Sequence, residues 1–312
     1  MPAYERVLVT GGSGRLGMFV VDELRPHHQV TVLDRQASAA DVPFIKADIE
    51  DRAAMARAFE GIDAVVHLAA LDQGVKASDE DFFRINVQGL WNVLEFAEQA
   101  GVKRVVATSS VVAANISRAH PPRYLPVDVE HPAAPVNAYG ISKRAGEVVA
   151  EAFARRSAME VISLRPSWVL RDECVHGLAL AMARAESTPP PDVATIDPAW
   201  ESRDEAPRGT CSFVSSRDAA RAFRAAVTAE VDGYETCFVT AADTHSALPT
   251  SELMQREFDD LPEVRDPGLY SHDPRASAYD IAHTHRVLGW QPEERWADIQ
   301  ARVLGPDSGR VR

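Results

Sequence analysis

Short apolar runs alternate with segments of helical period across the first 165 residues. Runs such as Val7-Leu8-Val9 and Val65-Val66 carry no polar interruption, the pattern of strands covered on both faces. Strands are expected at Arg6–Thr10, Gln29–Asp34, Phe44–Ala47, Ala64–Ala69, Arg104–Ser109 and Glu160–Arg165, and helices near 15–25, 51–60, 80–100 and 136–156. Such alternation implies a parallel sheet joined by right-handed crossovers, so the expected class is α/β with a doubly wound sheet.

After residue 165 the rhythm loosens. Ser187-Thr188-Pro189-Pro190-Pro191-Asp192 reads as a loop, because consecutive prolines remove helix donors, and 192–210 is polar and irregular. A helix is expected at 216–229, begun by Ser216 with Asp218 in its first turn, then a strand at Tyr234–Thr240. Short helices are expected at 250–258, 281–289 and 293–303, and a frayed tail from Gly305. The sheet domain would span 1–165 plus about 213–245; a smaller subdomain would take about 166–212 and 246–304, leaving 305–312 as a flexible tail. The connection 111–135, with Pro121, Pro122, Pro126, Pro132 and Pro135, is long for a compact domain, and such loops are often functional. It leaves the carboxyl end of the sheet, where open α/β sheets bind ligands.

Composition narrows the partners. The formal charge of −13, with no basic run, argues against nucleic acid and anionic membrane. No segment approaches the ~20 apolar residues of a membrane helix. Met1-Pro2-Ala3-Tyr4-Glu5-Arg6 has no apolar h-region, so no signal peptide is expected and the expected location is cytoplasmic. Cys174, Cys211 and Cys237 are odd in number and widely spaced, which fits a reducing compartment better than a disulfide framework. No metal site is expected, since Cys174-Val175-His176 has no second pair at suitable spacing.

The glycine-rich turn Thr10-Gly11-Gly12-Ser13-Gly14-Arg15-Leu16-Gly17 follows a strand and opens a helix. Glycines permit a tight turn and close approach of backbone to a pyrophosphate, and the helix N-terminus favours negative charge. Asp34 ends the second strand, where a carboxylate accepts from a ribose diol and repels a 2′-phosphate; this favours NAD. The neighbouring Arg35 is able to bind a 2′-phosphate, so NADP stays open.

Tyr139 and Lys143 lie four residues apart in Asn137-Ala138-Tyr139-Gly140-Ile141-Ser142-Lys143, on one face of an expected helix. A fixed ammonium favours the phenolate, which makes the phenol an acid/base for a hydroxyl or carbonyl. Only four of 33 basic residues are Lys, namely Lys46, Lys76, Lys103 and Lys143, so lysine at 143 mildly supports a role for a compact ammonium.

With these motifs in order, the chain resembles the extended short-chain dehydrogenase/reductase family, of NAD-dependent epimerase/dehydratase type, over nearly its whole length. The glycine turn is similar to the family's cofactor turn, Asp48-Ile49 to its adenine-contacting pair, and His67-Leu68-Ala69-Ala70 to its fourth-strand signature. Asn86-Val87-Gln88-Gly89 resembles the fourth-helix motif and Thr108-Ser109-Ser110 the end of strand five. Phe213-Val214 with Asp218-Ala219-Ala220-Arg221-Ala222, and Asp280-Ile281 with Leu288-Gly289-Trp290-Gln291-Pro292, resemble its later motifs. The resemblance implies a Rossmann domain with a C-terminal substrate-binding subdomain. It implies Ser110, Tyr139 and Lys143 as the catalytic set, with Ser109 the neighbouring candidate to Ser110. Cofactor contacts would come from Gly11, Ser13, Gly14, Arg15, Leu16, Gly17, Asp34, Arg35, Asp48, Ile49, Leu68, Ala69, Ala70, Asn86, Thr108, Tyr139, Lys143 and Pro166. Ser109, Ser110, Asp72 and Arg171 are substrate candidates, Arg171 through a bidentate contact to a carboxylate or phosphate. A homodimer through helices 80–100 and 136–156 is implied in the same way, Trp91 and Phe96 being core or dimer contacts.

Two departures shape the activity. Ser110-Val111-Val112 stands where the family's dehydratases carry Thr-Asp-Glu, so dehydration is not expected. Arg165-Pro166-Ser167-Trp168 departs from the Tyr-Gly-Pro continuation of nucleotide-sugar enzymes, which favours a smaller substrate. The expected function is hydride transfer between nicotinamide and a secondary alcohol or ketone (or lactol and lactone) of a sugar-like molecule. The alternatives are an NAD-dependent (nucleotide-)sugar epimerase and, further off, a non-catalytic cofactor-sensing protein.

Overall fold

A computed structural model of the chain describes residues 4–117, 119–175, 177–178, 210–258 and 260–305. The proline-rich loop at 187–192, the polar stretch up to 209, His176 and the tail beyond Gly305 lie outside the described residues. The strands are β1 (Arg6–Thr10), β2 (Gln29–Asp34), β3 (Phe44–Lys46), β4 (Ala64–His67), β5 (Arg104–Thr108), β6 (Tyr124–Leu125), β7 (Glu160–Pro166), β8 (Trp168–Leu170), β9 (Phe213–Ser215), β10 (Tyr234–Val239) and β11 (Glu263–Val264). Seven form one sheet in the order β10-β7-β5-β4-β1-β2-β3, parallel throughout. The chain runs outward from β1 in one direction and from β4 in the other. The switch point therefore falls between these strands, with Thr10 opposite His67.

The helices are α1 (Gly17–Leu24), α2 (Arg52–Ala58), α3 (Asp79–Phe82), α4 (Gly89–Ala100), α5 (Ala138–Arg156), α6 (Ser216–Thr228), α7 (Thr250–Phe258), α8 (Pro267–His272), α9 (Ala282–Leu288) and α10 (Trp296–Leu304). Strand alternation explains the two cores. Val7, Val9, Val66, Val106 and Ile162 pack beneath α1 and α6, while Leu8, Val65, Val105 and Val161 pack on the other face with α2, α4 and α5. Two smaller clusters lie in the C-terminal half: one joins Leu125, Phe238, Met254 and Tyr279, the other Leu170, Phe213 and Trp296.

Local chemistry sets the boundaries. Asn137 caps α5 by accepting from the Gly140 amide at 2.7 Å, so the helix starts at Ala138 rather than 136. The cap of α6 is Ser215, not Ser216: its Oγ accepts from the Asp218 amide at 3.0 Å, and Ser216 is already helical. Arg104, 1% exposed, extends from β5 to the C-terminus of α6 and donates to the carbonyls of Ala226 (2.5 Å) and Ala229 (2.8 Å). The expected helix at 80–100 is interrupted by a π-helical turn, Phe83–Gln88, between α3 and α4. The long 111–135 connection contains a 3-10 turn at Val111–Ala113 and the short strand β6, which pairs with β11. No helix of the described residues is long and apolar enough to cross a membrane.

Candidate active site

The glycine turn closes tightly on the carboxyl ends of β2 and β4. The Gly11 amide donates to Leu33 O at 2.9 Å, and Gly11 has φ +77. A Cβ there would sit on the Ala69 backbone nitrogen, and one on Gly17 would overlap Gly11 O. Gly14 is different: an added Cβ would meet only Gly11 O, at 3.2 Å, so its outer side is open. The Asp34 carboxylate accepts from the Ser13 amide at 3.0 Å and the Gln36 amide at 2.9 Å. Each oxygen keeps a lone pair for a further donor. Arg35 is exposed and lies 3.5 Å from Asp48.

On the far side of the switch point, the ends of β1, β4 and β5 are tied together. Thr10 Oγ1 and His67 Nδ1 are 2.7 Å apart, and Thr108 Oγ1 donates to His67 O at 2.8 Å. Burial holds His67 far below its ordinary range, at about 3, with the Lys143 charge acting in the same direction. Lys143 Nζ donates to Thr108 O at 2.8 Å and lies 5.8 Å from the Tyr139 ring centroid. Burial pushes the Lys143 ammonium down to about 8, against the opposing pull of Asp72 and Glu147. The half-buried Tyr139 ring meets Phe82 edge-on at 6.1 Å.

Ser110 is carried to this helix by glycine. A Cβ on Gly140 would come within 2.9 Å of Val112 O, so only glycine lets the 3-10 turn that follows Ser110 rest on the first turn of α5. The two adjacent serines diverge. Ser109 Oγ donates inward to the buried Glu147 carboxylate at 2.6 Å, while Ser110 Oγ accepts from the Val112 amide at 3.2 Å.

A model of the NAD dependent epimerase/dehydratase family matches residues 7–196. The chain belongs to the NAD-dependent epimerase/dehydratase family. Three curated relatives cover about half of it. An L-arabinose 1-dehydrogenase (NAD(P)(+)) of Haloferax volcanii is 35% identical over 174 residues, 53% of this chain and 67% of the relative. A uronate dehydrogenase of Pseudomonas syringae pv. tomato is 30% identical, over 52% and 58%. A putative UDP-glucose 4-epimerase of Methanocaldococcus jannaschii is 32% identical, over 52% and 55%. The matched region thus spans little more than half the length of the latter two. Among solved structures, a short-chain dehydrogenase/reductase superfamily protein from Agrobacterium tumefaciens, with bound NAD, has a TM-score of 0.72 at 22% identity over 98% of both chains. UDP-glucose 4-epimerase from Thermotoga maritima, with UDP-glucose, has a TM-score of 0.68 at 22% identity over 96% of this chain and 98% of its own. These likenesses establish the Rossmann-like fold.

The residues of this family member fit NAD. Gly14 offers an uncovered glycine at the turn, the Asp34 carboxylate retains acceptor capacity, and the Lys143 ammonium has two further donors beyond the one on Thr108. Several of the expected contact residues also hold the local structure. Ile49 is core: its side chain fills the space above Gly89, and its carbonyl accepts from Asn92 at 3.1 Å. Asn86, in the π turn, is a brace. Its amide accepts from Leu71 N at 2.7 Å and donates to Leu71 O and to Ser142 Oγ at 3.0 Å. Leu68 packs against the core, Ala69 abuts Gly11, Ala70 is exposed and Pro166 is buried at the end of β7. Asp72 pairs with Arg15 at 2.6 Å, across the mouth of the glycine turn. Arg171 is engaged by Glu173 at 2.6 Å. Phe96 is core and Trp91 is 39% exposed.

Three features escaped the sequence. In the sequence His67 is visible only as part of a strand signature. Glu147 extends the Tyr139–Lys143 spacing by another four residues, a signal open to the same helical count. The hydroxyls of Ser167 and Thr244 are buried without a hydrogen-bond partner among the described residues, which no periodicity reveals.

Proposed function

We propose that this chain is an NAD-dependent sugar dehydrogenase that oxidises a lactol or secondary alcohol of a free aldose or uronic acid. What supports this is the Lys143 ammonium 5.8 Å from the Tyr139 ring and bonded to Thr108 O, with Gly140 resting on the turn that follows Ser110, beside a dinucleotide turn. When bound, NAD supplies the hydride acceptor. The glycine turn and Asp34 hold its pyrophosphate and adenosine ribose, and Lys143 the nicotinamide ribose. Ser110 Oγ orients the substrate oxygen, Tyr139 takes its proton, and the Lys143 charge favours the phenolate that does so. Val111 and Val112 offer no acid or base for eliminating water. The arabinose and uronate enzymes among the relatives point to a free sugar or sugar acid.

Tyr139→Phe is expected to lower turnover by about 10³-fold while NADH affinity stays within about threefold. Steady-state kinetics with L-arabinose and D-glucuronate, beside an NADH fluorescence titration, measure both. Undiminished turnover would remove Tyr139 from the chemistry. Asp34→Ala is expected to shift the NAD-to-NADP preference by about tenfold toward NADP; an unchanged ratio would place the ribose selector elsewhere.

The 4-epimerase relatives favour one second reading, sugar epimerisation with retained cofactor. It predicts protein purified with NAD and isomerised sugar without net nicotinamide reduction. We also propose a two-domain division, with 1–165 plus about 213–245 holding the cofactor and the rest closing over substrate. A cytoplasmic location and a homodimer through the α4 and α5 faces complete the proposal. The dimer reading rests on exposed Trp91, Ile141 and Val148 on those helices.

A further inference from the structure

Below the proposed catalytic groups, α5 presents a third residue in the same row. Glu147 follows Lys143 by four residues and is 2% exposed. Its Oε1 accepts from Ser109 Oγ and from Arg165 Nε, both at 2.6 Å. Its Oε2 accepts from Arg165 Nη2 at 2.8 Å and Arg144 Nη1 at 2.9 Å. Arg165 comes from β7 and is itself 2% exposed, with its guanidinium carbon 5.3 Å from the Phe238 ring centroid. One carboxylate thus joins α5, the end of β5 and β7 in a buried setting, where charge-assisted bonds are strong.

Two consequences reach the site. Ser110 is extended and follows Ser109 directly, so anchoring Ser109 Oγ on Glu147 fixes the backbone that carries Ser110, whose own Oγ meets the Val112 amide instead. The carboxylate also lies one helical turn from Lys143 and favours its charged form. The other groups acting on that ammonium are Asp72 from the loop after β4, His67 at the end of β4, the Tyr139 ring on its own helix and the Thr108 carbonyl. Burial pushes the Glu147 carboxyl up, and Arg165, Ser109 and Arg144 more than offset this, so it sits below the ordinary range. We infer that Glu147, gripped by Arg165, is a positioning residue that aims Ser110 through Ser109 and keeps Lys143 cationic from within the protein. This rests on the dehydrogenase reading for its kinetic arm only.

The test compares wild type, Glu147→Gln and Ser109→Ala. Lys143 is titrated by competitive acetylation with acetic anhydride, resolved from Lys46, Lys76 and Lys103 by peptide mapping. NADH fluorescence titration reports folding of the cofactor site. Glu147→Gln is expected to bind NADH within about threefold of wild type. Its Lys143 midpoint should move to lower pH, and kcat on L-arabinose or D-glucuronate should fall by up to about 10²-fold with little change in KM. Ser109→Ala is expected to lower kcat without moving the midpoint. A Glu147→Gln protein with wild-type midpoint and kcat overturns the inference. Should that variant fail to fold, Ser109→Ala decides: an unchanged kcat rejects the aiming role. Wild type that forms no NADH with either sugar would instead defeat the dehydrogenase reading, while the acetylation arm still reports on Glu147.

Discussion

Lys143 is a charge held against its preference for water. It is 7% exposed, and its depression from 10.5 to about 8 comes first from burial. Across that interval the unfolded chain binds more protons than the folded one, so stability rises as pH climbs from 8 to 10.5. Near neutral pH the native state therefore bears a cost of about 3 kcal/mol. Lys143→Met gives up a charge-assisted hydrogen bond to Thr108 worth about 1.5–3 kcal/mol, which nearly offsets that cost, so it is expected to melt close to wild type near pH 7. It should also lose most turnover. Thermal melts at neutral and alkaline pH check this, and a variant melting well below wild type would mean that the ammonium stabilises the fold. His67 works in the opposite window. Its depressed value leaves it neutral in the folded state, so stability is complete above 6.5 and lost as pH falls toward 3.

At the scale of elements, the 3-10 turn after Ser110 and the first turn of α5 act as one unit because Gly140 has no side chain. Gly140→Ala would drive a Cβ into the Val112 carbonyl. It is expected to cost about 1–3 kcal/mol and to lower kcat by about tenfold, through displacement of Ser110 from Tyr139. Gly101→Ala, a left-handed helix end with open space around it, should cost about 1 kcal/mol with no effect on kcat. Denaturant melts and kinetics on both variants separate a local strain from a displaced site. Elements of this kind were legible to different degrees. The strands were, because continuous apolar runs and two-sided burial leave one pattern, and the Tyr139–Lys143 face followed from helical spacing alone. Asn86 and Ile49 carry structural duties that their motifs do not announce, one bracing a loop through a π turn and the other packing in the core. Nothing in a period of 3.6 announces a π turn. The different partners of Ser109 and Ser110 are equally closed to sequence, since Ser109 is held by Glu147 and Glu147 by Arg165, 38 and 56 positions away from that serine.

For the whole molecule, Asp218 shows how distant motifs close the fold. It is 0% exposed, and its carboxylate accepts from the Glu293 and Glu294 amides at 3.1 and 2.9 Å, while Trp290 Nε1 donates to its carbonyl at 3.1 Å. Two sequence motifs that stand 72 residues apart are thus one contact. On the outer face, Trp91 and Val148 are 39% and 53% exposed, with Arg156 stacked near Trp91. Trp91→Glu with Val148→Glu is expected to convert a dimer to monomer, with the melting temperature reduced. Sedimentation velocity on both proteins checks it, and a wild type that sediments as a monomer would contradict the proposed assembly. The central claim is chemical and is tested most directly by following nicotinamide reduction when L-arabinose or D-glucuronate is added with NAD. Wild type should form one NADH per sugar oxidised, and Tyr139→Phe should bind the cofactor and form almost none. Equal NADH formation by the two proteins would contradict it.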